Sequence, residues 1–285
     1  MPLPPQSSAA GRSARLDIAS LLLVPAGVGL VLLSQAGSGV PVQSLLQWQA
    51  ALIVLGGTSA AVMLSYPPHE VIDACRAAAH TFRARHEDTD ALAALLLALS
   101  IRAHRRGALV LESEVDGVSD PFLREGIQMA VDGASIDTVR ELLAVESAAR
   151  ADADEAPARV FEAAAGYAPT LGILGAVLGL VHVMQHLSEP GALGPGIATA
   201  FVATVYGVGI ANLILLPVAG RLRERAARAA RRRDMVTHAV CAIALRTHPR
   251  LVAQKLRAFS ARIPRIEEMA TRRAPRTEAA ARIPA

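Results

Sequence analysis

From Ala163 to Gly220 the chain carries a single formal charge, Glu189, and this run limits the possible folds more than any other stretch. Ser188-Glu189-Pro190-Gly191-Ala192-Leu193-Gly194-Pro195-Gly196 is turn-rich and splits the run in two, leaving spans at 167–187 and 197–219. Each is near the roughly 20 apolar residues that a helix needs to cross a bilayer core. A soluble core helix of that length would show a polar face. The run therefore reads as a membrane hairpin.

Two more apolar spans, 18–35 and 46–66, lie near the N-terminus on either side of a short Gly/Ser/Pro-containing turn. A hydrophobic share of 52% and a positive mean hydropathy of +0.36 agree with the membrane class. The expected fold is an all-α membrane protein with four transmembrane helices arranged as two hairpins. A cytoplasmic N-terminus (1–17) precedes hairpin 1 (18–66), a helical cytoplasmic domain (67–166), hairpin 2 (167–219) and a basic cytoplasmic C-terminal helix or tail (220–285). Past about residue 257 the tail is Arg/Ala/Pro-rich and expected to be disordered.

Charge sets the orientation. Of the 29 Lys and Arg, two precede the first span, ten lie between Pro67 and Gly166, and seventeen follow Gly220. The positive-inside rule then places both termini and the middle segment in the cytoplasm. The run from Arg221 through Arg231-Arg232-Arg233 follows a span directly, so it is read as touching anionic lipid headgroups and not nucleic acid. The first span exceeds a signal-peptide core and a second follows at once, which favours retention. Trp48, near the outer end of the second span, suits an interface anchor.

The middle segment predicts helices. Residues 89–103 are Ala/Leu-rich. Asp120-Pro121 pairs an N-cap oxygen with a proline whose missing N–H costs nothing there. That helix should present Phe122, Ile127, Met129 and Ala130 and stop at Asp132-Gly133. Another starts near Ser135 with Val139, Leu142, Leu143 and Val145 at mostly helical spacing. With ten basic and eighteen acidic residues, this domain is either a solvated bundle or a charged docking surface.

Nothing in the chain points to an enzyme, and no cofactor motif is present. Cys75 and Cys241 are isolated, and His182 and His186 lack a third ligand, so no metal site is expected. Small residues line both later spans: Gly172, Gly175, Ala176 and Gly179 on one, Ala200, Ala203, Gly207 and Ala211 on the other. Such spacing lets helices pack closely in lipid, and small residues on several faces point to an oligomer or a partner helix. Pro169 and Pro217 sit at matching depth near the cytoplasmic end. Thr204 is one of very few deep hydroxyls; it either serves a path or bonds its own backbone one turn earlier.

Tyr167-Ala168-Pro169-Thr170-Leu171-Gly172-Ile173-Leu174-Gly175-Ala176-Val177-Leu178-Gly179-Leu180 resembles the third transmembrane segment of the MotA/PomA flagellar stator family, within the MotA/TolQ/ExbB proton channel superfamily. Glu189-Pro190 and Leu193 through Gly207, with Ala211-Asn212-Leu213 and Pro217, are similar to its outer turn and fourth segment. Ile53 through Thr58 and Ser65-Tyr66-Pro67 are similar to its second. Arg105-Arg106-Gly107-Ala108-Leu109-Val110-Leu111-Glu112, Asp120-Pro121-Phe122-Leu123 and Val131-Asp132-Gly133 resemble its cytoplasmic stretches. The likeness covers roughly residues 16–250.

The resemblance implies an ion-driven subunit of the flagellar motor, five copies of which surround a MotB-type partner whose single span carries the proton-binding Asp. This chain holds no carboxylate inside a span, only Asp17 at an entrance and Glu189 in a turn, so a conducting assembly needs that partner. By the same resemblance Thr204, Ala176 and Ala203 line the ion path, and Pro169 and Pro217 couple protonation to helix movement. Arg105, Arg106 and Glu112 would meet the rotor protein FliG through complementary charge. Sodium-driven relatives carry hydroxyls where Ala176 and Ala203 stand, so protons are the expected ion. The alternatives are an ExbB/TolQ-type energiser, which has three spans, or a non-conducting membrane scaffold.

Overall fold

A computed structural model describes residues 29, 46–81, 89–115, 117–186, 188 and 190–260. The N-terminal segment 1–17, the span at 18–35, the turn after it, Glu189 and the end of the tail lie outside the described residues. Within them the chain is all helical and contains three helices long and apolar enough to cross a membrane. These are α1 (Trp48–Ser65), then α6 (Ile136–Gln185), and the run Leu193–Ala244. Together with the apolar composition, they make this an all-α membrane protein.

The chain divides into two compact units. One draws on 86–151 and 228–285, the other on 12–85 and 152–227. In the first, α3 (Thr89–Arg106) leads through a 3-10 turn (Ala108–Leu111) into the short α4 (Glu112–Val115) and α5 (Pro121–Val131). The start of α6, the end of α8 (Leu216–Ala244) and α9 (Pro249–Leu256) complete it. The starts follow local capping. The Asp120 carboxylate accepts from the backbone N–H of Phe122 at 3.0 Å and Leu123 at 3.4 Å, with Pro121 in the first turn. Ser135 accepts from Thr138 N–H at 3.1 Å ahead of α6. These are N-cap bonds.

The first unit's core is built of large side chains: Leu96, Leu97, Leu99, Leu111, Phe122, Leu123, Ile127, Leu143, Met235, Ile243 and Leu256 are fully buried. This differs from the expected tail. Met235, Val236, Ala239, Val240 and Ile243 recur at helical spacing after the arginine run and form part of that core. Order also extends past 257, since Phe259 packs on the core and the Ser260 hydroxyl donates to the Asp90 carboxylate. Along α6, Val139 and Leu143 turn inward while Leu142 and Val145 stay exposed.

The second unit holds α1, α2 (Pro68–Thr81), most of α6, α7 (Pro190–Ile210) and the start of α8. Helix α6 runs through Pro157 and Pro169 without ending, so Pro169 lies mid-helix and not in a first turn. Helix α7 begins at Pro190, so the Pro/Gly stretch before 197 is helical and Pro195 lies within it. Between α7 and α8 the helix widens into a π turn, Ala211–Leu215. A proline ring clashes with the carbonyl four residues earlier, and for Pro217 that carbonyl is Leu213, inside the widened turn. A second π turn, Leu52–Gly56, interrupts α1.

Candidate functional site

The centre of the second unit is the contact between α6 and α7. A methyl built on Gly207 would lie 2.5 Å from the Ala168 carbonyl oxygen and 3.1 Å from the Cα atoms of Gly172 and Pro169. One built on Gly172 would lie 2.9 Å from the Ala203 carbonyl oxygen, and one on Gly179 2.9 Å from the Ala200 backbone nitrogen. These glycines are spent on backbone-to-backbone packing within one chain.

Helix α1 lies against the same pair. Ala50 and Val54 are fully buried with Ala203 and Val202, flanked by Tyr206 and Ile210. Gly57 approaches Leu171, where an added methyl would be 3.1 Å from its side chain. Toward the other end, Ser65 donates to the Ala61 carbonyl at 2.8 Å, so at 2.9 Å the Tyr167 hydroxyl is the donor to Ser65. Arg223 pairs with Glu162 at 2.6 Å.

The expected path residues fall in three environments. Ala203 is fully enclosed, its methyl held between Gly175 and the Ala50/Val54 cluster. Ala176 and Thr204 are half-buried. The Thr204 hydroxyl donates to the Ala200 carbonyl at 3.4 Å, the intrahelical bond that was one of its two expected roles. Pro169 is half-buried against Gly207, and Pro217 is exposed. Other polar side chains here also turn back on their own helix: Thr170 to Tyr167, Thr199 to Pro195 and Asn212 to Val208, at 2.7–2.9 Å. A hydroxyl bonded to its own helix can face an apolar medium without an open donor.

Sequence reasoning missed Thr58. It stands one turn from Val54 and from Val62 on the buried face of α1, and its hydroxyl has no partner among the described residues. The signal lay in the four-residue series Ala50, Val54, Thr58, Val62. A groove of about 340 Å³ runs beside that helix, lined by Trp48, Gln49, Ile53, Gly179, His182 and Thr199 among others. His186 donates from Nδ1 to the His182 carbonyl at 2.9 Å, and the two rings lie 4.4 Å apart. Among the described residues no group of three His, Cys, Asp or Glu forms a metal site.

The first unit presents Arg105, Arg106 and Glu112, all exposed, around the corner between α3 and the 3-10 turn. The bend is made by Gly107, at φ 86°, a value that favours glycine. His104 braces it, donating from Nδ1 to the Arg246 carbonyl at 2.9 Å. Elsewhere in this unit burial modulates charge: desolvation, then Glu125, pushes the Glu146 carboxyl above its ordinary value against the pull of its ion-pair partner Arg150. Burial lowers the Arg232 guanidinium.

Comparison with known proteins extends this picture. Residues 114–235 match the MotA/TolQ/ExbB proton channel family. Motility protein A of Bacillus subtilis (strain 168) is 32% identical over 83% of this chain and 86% of its own length. The structure of C. jejuni MotAB superposes with a TM-score of 0.79 at 26% identity, covering 85% of this chain and 95% of that one. The flagellar MotAB stator complex from Bacillus subtilis gives 0.75 at 29% identity, covering 90% and 98%.

Proposed function

The chain belongs to the MotA/TolQ/ExbB proton channel family, in its MotA branch, and from that premise we propose that it is a stator subunit of the bacterial flagellar motor. The observation that carries the reading is the likeness to two MotAB stator structures over nearly their whole length. In the inner membrane the subunit conducts protons together with a MotB-type partner and converts the flow into torque on the rotor. The acid-free hairpin accounts for the partner: with Glu189 as the only charge from 163 to 220, the proton-binding Asp belongs to another chain.

In this reading the protein spans the membrane four times, at 18–35, 46–66, 167–187 and 197–219, with both termini cytoplasmic, and five copies enclose the partner. Thr204 and Ala176, which remain part-exposed, face the ion path, and Ala203 closes the wall behind them. Pro169 and the Pro217 π turn are where the hairpin bends as the partner's acid is protonated and released. An i→i−4 hydrogen bond is missing at each proline, so deformation costs least there. Arg105, Arg106 and Glu112 meet FliG.

The test is to express the chain with a MotB-type partner in a stator-deficient motile bacterium. Swimming should need both proteins, disappear with a protonophore and ignore Na⁺. Swimming that requires Na⁺ and survives the protonophore would overturn proton coupling. Swimming unchanged in Pro169→Leu would overturn the role of that proline.

A further inference from the structure

The first unit contains a cavity of about 250 Å³ where the start of α6, the end of α8 and α9 converge. Arg140, Lys255, His238, Thr237, Thr247 and Cys241 are among the residues that line it. We propose that this cavity binds a small phosphate-bearing anion, held by Arg140 and Lys255 with His238 and Thr247 as further donors.

Charge carries the argument. Two permanent cations from two separate helices face one small cavity. Arg140 pairs with Asp137 at 3.1 Å on the same helix, and both side chains are largely exposed, so the guanidinium stands at the mouth of the cavity beside a solvated carboxylate that an anion must compete with. Among the described residues no carboxylate pairs with Lys255. Both cations act on the same thiol. Burial pushes Cys241 above its ordinary value, while Arg140 and then Lys255 pull it down. All three residues line the same cavity.

Cations beside the carbonyl end of α8 also offset its dipole, but one cation suffices for that, whereas here two gather with an imidazole. Arginine's planar fork recognises phosphate oxygens in pairs, and lysine supplies a mobile point charge. The Thr237 hydroxyl already donates to the Arg233 carbonyl at 3.0 Å, leaving Thr247 as the open hydroxyl donor. Size narrows the class. Ligand pockets run upward from about 300 Å³, so this one suits phosphate, pyrophosphate or the phosphoester head of a larger molecule.

Cys241 lines the cavity and Cys75 is exposed elsewhere, so the chain holds its own probe and control. The full chain, purified from membranes into phosphatidylcholine nanodiscs, is alkylated with N-ethylmaleimide. Each cysteine is then followed by peptide mass spectrometry. Pyrophosphate should slow labelling of Cys241 several-fold and leave Cys75 unchanged, while chloride at equal ionic strength should do neither. The ratio of rates with and without pyrophosphate should fall to one in Arg140→Gln with Lys255→Gln, and partway in Lys255→Gln alone. Taking the ratio within each variant removes the variants' own effect on the thiol. Protection on replacing phosphatidylcholine by phosphatidylglycerol, without pyrophosphate, supports the site with a lipid headgroup as its source; protection by pyrophosphate alone supports a soluble one. Equal labelling of Cys241 under all conditions, or protection that persists in the double variant, overturns the proposal.

Discussion

The two units of this protein are packed by opposite rules. Of the largest fully buried side chains, all but Val54 lie in the unit formed by 86–151 and 228–285. The other unit buries mainly Ala, Gly and Val, while Ile173, Leu174, Val177, Leu178, Leu180, Val181, Met184, Phe201 and Val205 stay exposed on α6 and α7. The first is the pattern of a chain folded by water, where removing large apolar surface drives collapse. The second is the pattern of helices associating where the medium is itself apolar. Burying Leu gains little there, and backbone approach through small residues supplies the contact.

The sharpest way to break this comparison is to add one small side chain to the second unit. Gly207→Val places atoms where a single methyl already sits 2.5 Å from the Ala168 carbonyl oxygen, and backbone cannot give way as a flexible side chain can. The expected outcome is loss of the α6–α7 contact, seen as failure to co-purify with a MotB-type partner and as complete loss of swimming. A variant that assembles and swims normally would show that close approach does not hold the unit.

In the first unit the corresponding injury is removal, not addition. Leu143→Ala empties a fully buried site in the core that α6 shares with side chains of α3, α5 and α8. It should cost about 2–5 kcal/mol, read as a lower thermal midpoint of the purified protein. Asp120→Ala is milder. It removes the cap of α5, worth about 1 kcal/mol, together with a 3.9 Å approach to Arg232. If Asp120→Ala proved as damaging as Leu143→Ala, the unit's stability would rest on its helix ends more than on its core.

Sequence reasoning reached the features governed by neighbours along the chain. The Asp120-Pro121 and Ser135 starts were legible because a cap involves only the next three residues. It failed where a distant element decides. Pro169 falls in the first turn of the span expected at 167–187, yet α6 passes through it. A helix flanked by apolar residues keeps its remaining backbone bonds when one is lost, because no water competes for them. The apolar series from Met235 to Ile243 was obscured by the arginines before it, so one side of the core read as a tail. At the candidate site, the small residues of α6 and α7 were legible, but not their partners. Gly172, Gly179 and Gly207 meet their own chain, and only the structure separates enclosed Ala203 from half-buried Ala176 and Thr204.

Adjacent leucines give the smallest and most discriminating prediction. Leu142 and Leu143 carry the same local signal, but Leu143 is fully buried and Leu142 is 52% exposed. Leu142→Gln should shift stability by no more than about 0.5 kcal/mol, the range of ordinary surface changes, against the several-fold larger cost at the next residue. The pair thus measures where the water-folded core of the first unit ends. A loss at Leu142 comparable to that at Leu143 would mean that its face of α6 is covered in the assembled protein, and its exposed neighbour Val145 would then be covered with it. An unchanged midpoint together with unchanged swimming would leave that face of the helix to solvent, as its accessibility within a single chain indicates.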